Sequence, residues 1–269
     1  METSLSTSQL TAVRIASWIK NYAEKNNIDS LVVGISGGID SALVSTLCSM
    51  TEIPTYVVSM PIKQPIDQHF RAYDHIDWLK ENFSNVIPVE INLSRLFEIF
   101  EHSTSSTSKV NNYPGESFTS ELGYANSRSR LRMTTLYQVA ADRNGLVVGT
   151  GNKVEDFGVG FFTKYGDGGV DISPIADLTK TEVRLMAREL GIIESILDAK
   201  PTDGLWNDDR SDEDQIGATY EELEWAMEYE NNSTLYTEIS ERQEEVLNIY
   251  RKLNTKNSHK MGLIPVYKK

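Results

Sequence analysis

The chain has a single cysteine, Cys48, among 269 residues, so no intrachain disulfide is available. Cys48 falls in an apolar stretch and reads as a small core residue, a usage expected in a reducing cytoplasm. Long apolar runs are also missing: none approaches the ~20 residues that a membrane span needs, so no membrane partner is expected. The first residues, Met1-Glu2-Thr3-Ser4, hold no basic segment followed by an apolar one, so no secretory leader is expected. Positive charge is scarce: 26 Lys and Arg stand against 39 Asp and Glu, a net charge of −13. Long nucleic-acid surfaces are basic, so no nucleic-acid partner is expected. Local Lys and Arg can still hold a small anion. His69, His75 and His102 read as surface or helix-face residues and receive no role.

What is present fits a globular core, with 39% hydrophobic and 24% charged residues. The length suits one large α/β domain, or a domain with a helical annex. Apolar spacing predicts helices over 8–25, 40–50, 65–83, 93–100, 121–143, 179–190, 219–230 and 234–253. Strands are predicted over 29–36, 54–60, 86–91 and 145–150. Residues 103–120 and 200–215 are polar and read as surface loops. Strands alternating with helices imply a doubly wound, mainly parallel α/β sheet with helices on both faces. The core sheet is expected over about 28–192, with a helical C-terminal region over about 216–253. Ligands of such sheets sit at the carboxyl ends of strands.

One such end carries Gly34-Ile35-Ser36-Gly37-Gly38-Ile39-Asp40-Ser41, directly after Leu31-Val32-Val33. A buried strand runs into a glycine turn and then a helix start, whose unpaired N–H groups attract phosphate. Gly37 and Gly38 allow close backbone approach, and Ser36 and Ser41 add hydroxyl donors. A carboxylate facing phosphate is repulsive unless a cation lies between them, so Asp40 points to Mg²⁺. No lysine follows the glycines, which excludes a Walker A loop.

A second block, Gly149-Thr150-Gly151-Asn152-Lys153-Val154-Glu155-Asp156, follows the fourth strand. Glu155 pairs there with Asp40 around Mg²⁺, or is an acidic residue in the first turn of a helix. Next comes Gly160-Phe161-Phe162-Thr163-Lys164-Tyr165-Gly166-Asp167-Gly168-Gly169-Val170-Asp171. Its adjacent phenylalanines require burial or a flat ligand. Lys164 suits a phosphate or carboxylate, and Asp171 a hydroxyl or amide. Lys180, at a helix N-terminus, is electrostatically misplaced unless an anion meets it. His259-Lys260 is either a loose tail or a ligand contact.

The glycine octet resembles the SGGxDS loop of the N-type ATP pyrophosphatases, which attack the α-phosphate of ATP and transfer AMP. The FFTKYGDGG segment is similar to that of the NAD synthetase family within that superfamily. Asn126-Ser127-Arg128-Ser129-Arg130-Leu131-Arg132-Met133 resembles the family's N-x-x-A-R-x-R-M helix. Leu178-Thr179-Lys180, Pro201-Thr202 and His259-Lys260 match further family segments in order, so the likeness runs from Gly34 to Lys260.

This resemblance implies an adenine-nucleotide α-hydrolase-like, flavodoxin-like fold in a single NAD synthetase domain over 1–269, and a homodimer. It implies a cytoplasmic ligase that adenylylates deamido-NAD⁺ with ATP and Mg²⁺ and then lets ammonia displace AMP, giving NAD⁺. By match, Gly34, Ser36, Gly37, Gly38, Asp40 and Ser41 hold ATP, with Thr150, Lys180 and Thr202. Asp40 and Glu155 hold Mg²⁺, and Asp40 and Lys180 serve the chemistry. Arg130, Lys164, Asp171, His259 and Lys260 contact deamido-NAD⁺, Arg128 being the alternative to Arg130. Thr150-Gly151-Asn152-Lys153 departs from the Thr-Asp-His of many ammonia-using members. A glutamine-fed enzyme carries a further amidase domain of ~250 residues, beyond one domain's length, so free ammonia is the expected donor. A tRNA-modifying enzyme of the superfamily and a non-catalytic ATP sensor are the alternatives. The first is disfavoured by the acidity and lone cysteine, the second by Glu155 and the 161–171 block.

Overall fold

Leu31, Val32 and Val33 are wholly buried because β1 (Ser30–Ile35) is an inner strand of a parallel sheet covered on both faces. The computed structural model describes residues 5–63, 66–108, 114–200, 211–232 and 238–269. β1 pairs in parallel with β2 (Thr55–Ser59) on one side and β4 (Gly145–Val147) on the other. β3 (Val86–Glu90) continues from β2, giving the order β3-β2-β1-β4. Successive strand side chains alternate between faces. Leu31, Val33 and Ile35 therefore pack with α1 (Thr7–Lys25), α2 (Ile39–Ser49), α3 (Ile66–Asn82) and α6 (Lys180–Glu189). Val32, Val58 and Val147 face α4 (Ser94–Ser105) and α5 (Glu121–Asp142). Each such side chain contributes roughly 1.5–3 kcal/mol by leaving water.

The α/β class and doubly wound arrangement are those expected from the sequence. Three elements depart from their expected bounds by more than two residues, each for a local reason. α4 runs to Ser105 rather than Phe100, because Ser103 and Thr104 donate back to the carbonyls of Ile99 and Phe100. β4 stops at Val147, and Val148 pairs instead with Ile172. α10 spans Glu241–Met261 rather than 234–253: Ser240 and Gln243 form a capping box at its start. Asn254 and Asn257 bond the carbonyls of Gly158 and Val159 and tie its later turns down.

A second core lies beyond the sheet. Tyr220 and Leu223 of α9 (Tyr220–Asn232) and Val246 and Leu247 of α10 pack on Val154 and Val159. Those two valines belong to a π-helical turn, Lys153–Val159, with the short helix α8 (Asp212–Ile216) alongside; α7 (Glu194–Leu197) closes the sheet side. The C-terminal helices thus brace the segment that carries Glu155. Pro201 and Thr202 lie outside the described residues, as does most of the 200–215 loop. His75 corrects its expected place: it is fully buried on α3, its Nε2 2.9 Å from the hydroxyl of Ser45.

Candidate active site

The strand order reverses between β1 and β4, so the connections leaving their carboxyl ends diverge and open a crevice. The first turn is shaped by Gly37. Its φ of +83° is left-handed, and a Cβ there would lie 2.4 Å from the carbonyl oxygen of Gln68. Ser36 and Ser41 close the turn: their hydroxyls are 3.0 Å apart, and the Gly38 N–H donates to Ser36 Oγ. Gly38 is the N-cap of α2 and supplies no side-chain cap. Asp40 follows in the first turn of α2, where a carboxylate is favoured.

Asn152 is wholly buried in the second turn. Its Oδ1 accepts from the N–H groups of Val154 and Glu155, and its Nδ2 donates to Asp40 Oδ1 at 3.1 Å. This cap aims Glu155 across the crevice at Asp40. Lys180, the first residue of α6 and only 2% exposed, lies between them. Its Nζ is 2.6 Å from Asp40 Oδ2 and 2.9 Å from Glu155 Oε1. Tyr220 donates its hydroxyl to the same Glu155 oxygen, and its ring lies 4.8 Å beneath the Lys180 ammonium. The N–H of Thr181 donates to Glu224 of α9, fixing the start of α6.

Burial pushes the Asp40 carboxyl above its ordinary pKa, with Lys180 pulling the other way. Burial acts upward on Glu155 too, but Lys180 and the Tyr220 hydroxyl outweigh it and hold Glu155 below its ordinary value. Burial works against the Lys180 ammonium, yet its two carboxylates keep it firmly protonated. Asp156 is raised by burial and then by the carboxylates of Asp167, Glu155 and Asp40.

A cavity of about 270 Å³ joins these groups. Of the expected ATP residues, Gly34, Ser36, Gly37, Gly38, Asp40, Ser41, Thr150 and Lys180 line it, as does Glu155. The expected dinucleotide contacts lie off this wall. Arg130 is exposed and donates from Nε to the carbonyl of Lys164. Arg128 covers the Phe97 ring at 5.2 Å, and it is Arg132, from the same helix, that reaches the cavity. Asp171 accepts from the Val147 N–H and the Tyr137 hydroxyl along the edge of β4. Lys164 donates to the His259 carbonyl and Lys260 to the Phe162 carbonyl. The end of α10 is thereby fastened to the 160–171 loop, and His259-Lys260 is not a loose tail. Phe161 lines the cavity and packs on the second core.

The sequence model of the NAD synthase family matches residues 11–263. The chain belongs to the NAD synthase family. A relative from Carboxydothermus hydrogenoformans, named NH(3)-dependent NAD(+) synthetase, is 34% identical over 92% of this chain and 92% of its own length. A relative of the same name from Alkaliphilus metalliredigens is 38% identical over 85% of this chain and 90% of its own. Among solved structures, an NMN synthetase from Francisella tularensis superposes with a TM-score of 0.82 at 28% identity, covering 99% of this chain and 100% of that one.

Several residues that shape this NAD synthase site were not singled out from the sequence. Ser129 exchanges hydrogen bonds with Asp167: its hydroxyl donates to Oδ1 at 2.6 Å and accepts from the Asp167 N–H at 2.8 Å. Its place in the N-x-x-A-R-x-R-M segment was visible, but not its partner. Tyr220 begins an acidic amphipathic helix, and nothing local in the sequence marks it. Arg71 lies on α3 and lines the cavity beside Gly37. Only the three-dimensional packing of α3 on the glycine turn reveals it.

Proposed function

We propose that this NAD synthase family member is a C–N ligase that amidates deamido-NAD⁺ with ammonia at the expense of ATP, releasing AMP and pyrophosphate. The convergence of Asp40, Glu155 and Lys180 beside the glycine turn carries this reading. The names and extent of the relatives support it. The phosphates of ATP lie over the turn at Ser36–Ser41 and the start of α2. Thr150, Lys180 and Thr202 complete the nucleotide contacts, and Arg130, Lys164, Asp171, His259 and Lys260 those of the dinucleotide.

Asp40 and Glu155 suit a hard divalent cation: two carboxylates already converge on one positive centre, the Lys180 ammonium. Among the described residues no group of three or more acidic, His or Cys side chains forms a metal cage. Mg²⁺ is commonly held by one or two carboxylates with substrate phosphates supplying the rest. When bound, Mg²⁺ supplies charge neutralisation at the phosphates. Lys180 stabilises negative charge as the nicotinate carboxylate oxygen bonds the α-phosphorus and the bond to pyrophosphate breaks. Ammonia then forms the C–N bond, AMP leaves with the oxygen, and a proton passes to solvent. The protein positions these partners and contributes no nucleophile.

The chain acts as a homodimer in a reducing cytoplasm, a setting consistent with its lone buried thiol. No helix among the described residues is long and apolar enough to cross a membrane. One finding favours a second reading, in which the acyl substrate is the mononucleotide acid that yields NMN: the Francisella tularensis structure is described as an NMN synthetase. Purified protein with ATP and Mg²⁺ is offered NH₄⁺ or glutamine and either nicotinate nucleotide. AMP formation with deamido-NAD⁺ and NH₄⁺ is expected. Faster turnover of the mononucleotide, or turnover with glutamine as sole nitrogen source, overturns the corresponding part.

A further inference from the structure

We propose that Arg71 is a phosphate-binding residue that takes the outer phosphates of ATP and the departing pyrophosphate. The glycine turn has no following lysine, so the usual source of positive charge at such a turn is missing. Lys180 cannot serve at full strength, because its ammonium is already shared between Asp40 and Glu155. Arg132 also reaches the cavity, but from α5, with its Nε on the Met60 carbonyl rather than on the glycine turn.

Arg71 is placed differently. α3 packs its backbone directly on the turn, with the Gln68 carbonyl and the Ala72 N–H closing on Gly37. Arg71, between these two residues in sequence, folds back so that its Nε donates to the Gly37 carbonyl at 3.3 Å. That bond uses one donor of five and fixes the plane of the guanidinium against the turn. Among the described residues the guanidinium meets no carboxylate, although the cavity wall is rich in them. A half-buried guanidinium with spare donors, anchored on an anion-binding turn, is matched to a pair of phosphate oxygens. Loss of charged hydrogen bonds of this kind lowers affinity about tenfold or more.

The inference rests on the ATP site proposed above, and the experiment separates the two. Binding of ATP, inorganic pyrophosphate and AMP to the full chain with Mg²⁺ is measured by calorimetry for wild type, Arg71→Met and Arg71→Lys. In Arg71→Met, ATP and pyrophosphate weaken about tenfold or more while AMP stays within about twofold. Arg71→Lys recovers part of the loss, and all three proteins melt together. Unchanged ATP and pyrophosphate affinity in Arg71→Met overturns the proposal. So does an equal loss for all three ligands, which would make Arg71 a brace for the turn. Wild type that binds ATP but forms no AMP strikes the amidation reading alone, leaving the Arg71 comparison standing.

Discussion

Asn152 donates from its side-chain amide to Asp40 across 3.1 Å, joining the turn after β4 to the turn after β1. The same side chain caps Val154 and Glu155, so one buried residue orients both carboxylates. Asn152→Ala removes the cap and leaves buried N–H groups unsatisfied, at a cost of about 2 kcal/mol and several degrees of melting temperature. Asn152→Asp keeps the cap acceptor but sets a second carboxylate against Asp40, whose pKa burial already raises. Asp40 must be ionised to serve, so raising its pKa further moves the acid limb of AMP formation to higher pH. Rate profiles of the two proteins from pH 5 to 9 check this. Coincident limbs would show that Asp40 does not set that edge.

Lys180 is the shared counter-ion of two carboxylates and is almost wholly buried. Lys180→Met leaves Asp40 and Glu155 facing each other without a counter-ion. Breaking a buried ion pair from one side costs about 3–5 kcal/mol, so metal-free Lys180→Met should melt roughly 10 °C lower. Millimolar Mg²⁺ should return part of that loss, and should stabilise wild type less, because Lys180 competes for the same oxygens. Thermal melts with and without Mg²⁺ decide it. Equal responses in the two proteins would remove Asp40 and Glu155 from the metal site.

The glycine turn was legible in the sequence because strand, turn and helix start occupy one contiguous stretch, and chemistry and spacing coincide there. Glu155 was legible only as one of two alternatives: its role depends on Asn152 turning the chain, and that residue departs from the common family pattern. Lys180 was marked by an unfavourable charge at a helix start, which the structure resolves as a buried ion pair with both carboxylates. The roles of Arg71, Ser129 and Tyr220 were not legible, since their partners lie far away in sequence. The Arg128–Arg132 stretch was legible as basic, but the way each side chain turns was not. Three arginines share one short stretch, and only the packing of α5 on the sheet turns Arg132 rather than Arg130 toward the cavity.

His75 offers a test remote from the site. Its ring stacks on Trp78 at 5.6 Å, and its Nδ1 has no partner among the described residues. Burial lowers its pKa to about 4, below the ordinary 6.5. Between these values the unfolded chain takes up a proton that the native state refuses. Stability contributed by the neutral ring is therefore complete above pH 6.5 and lost as pH falls toward 4, by up to about 3 kcal/mol. His75→Phe can keep the stacking but not the titration. It forfeits the Ser45 contact, a cost of about 1 kcal/mol that is independent of pH. Carboxyls with raised values, such as Asp40, act in the opposite direction, but equally in both proteins. The difference between the two melting curves thus isolates His75: wild type is the more stable at pH 7.5, and the gap narrows or inverts by pH 4.5. A gap that stays constant across that range would mean that the native ring accepts its proton as readily as the unfolded one.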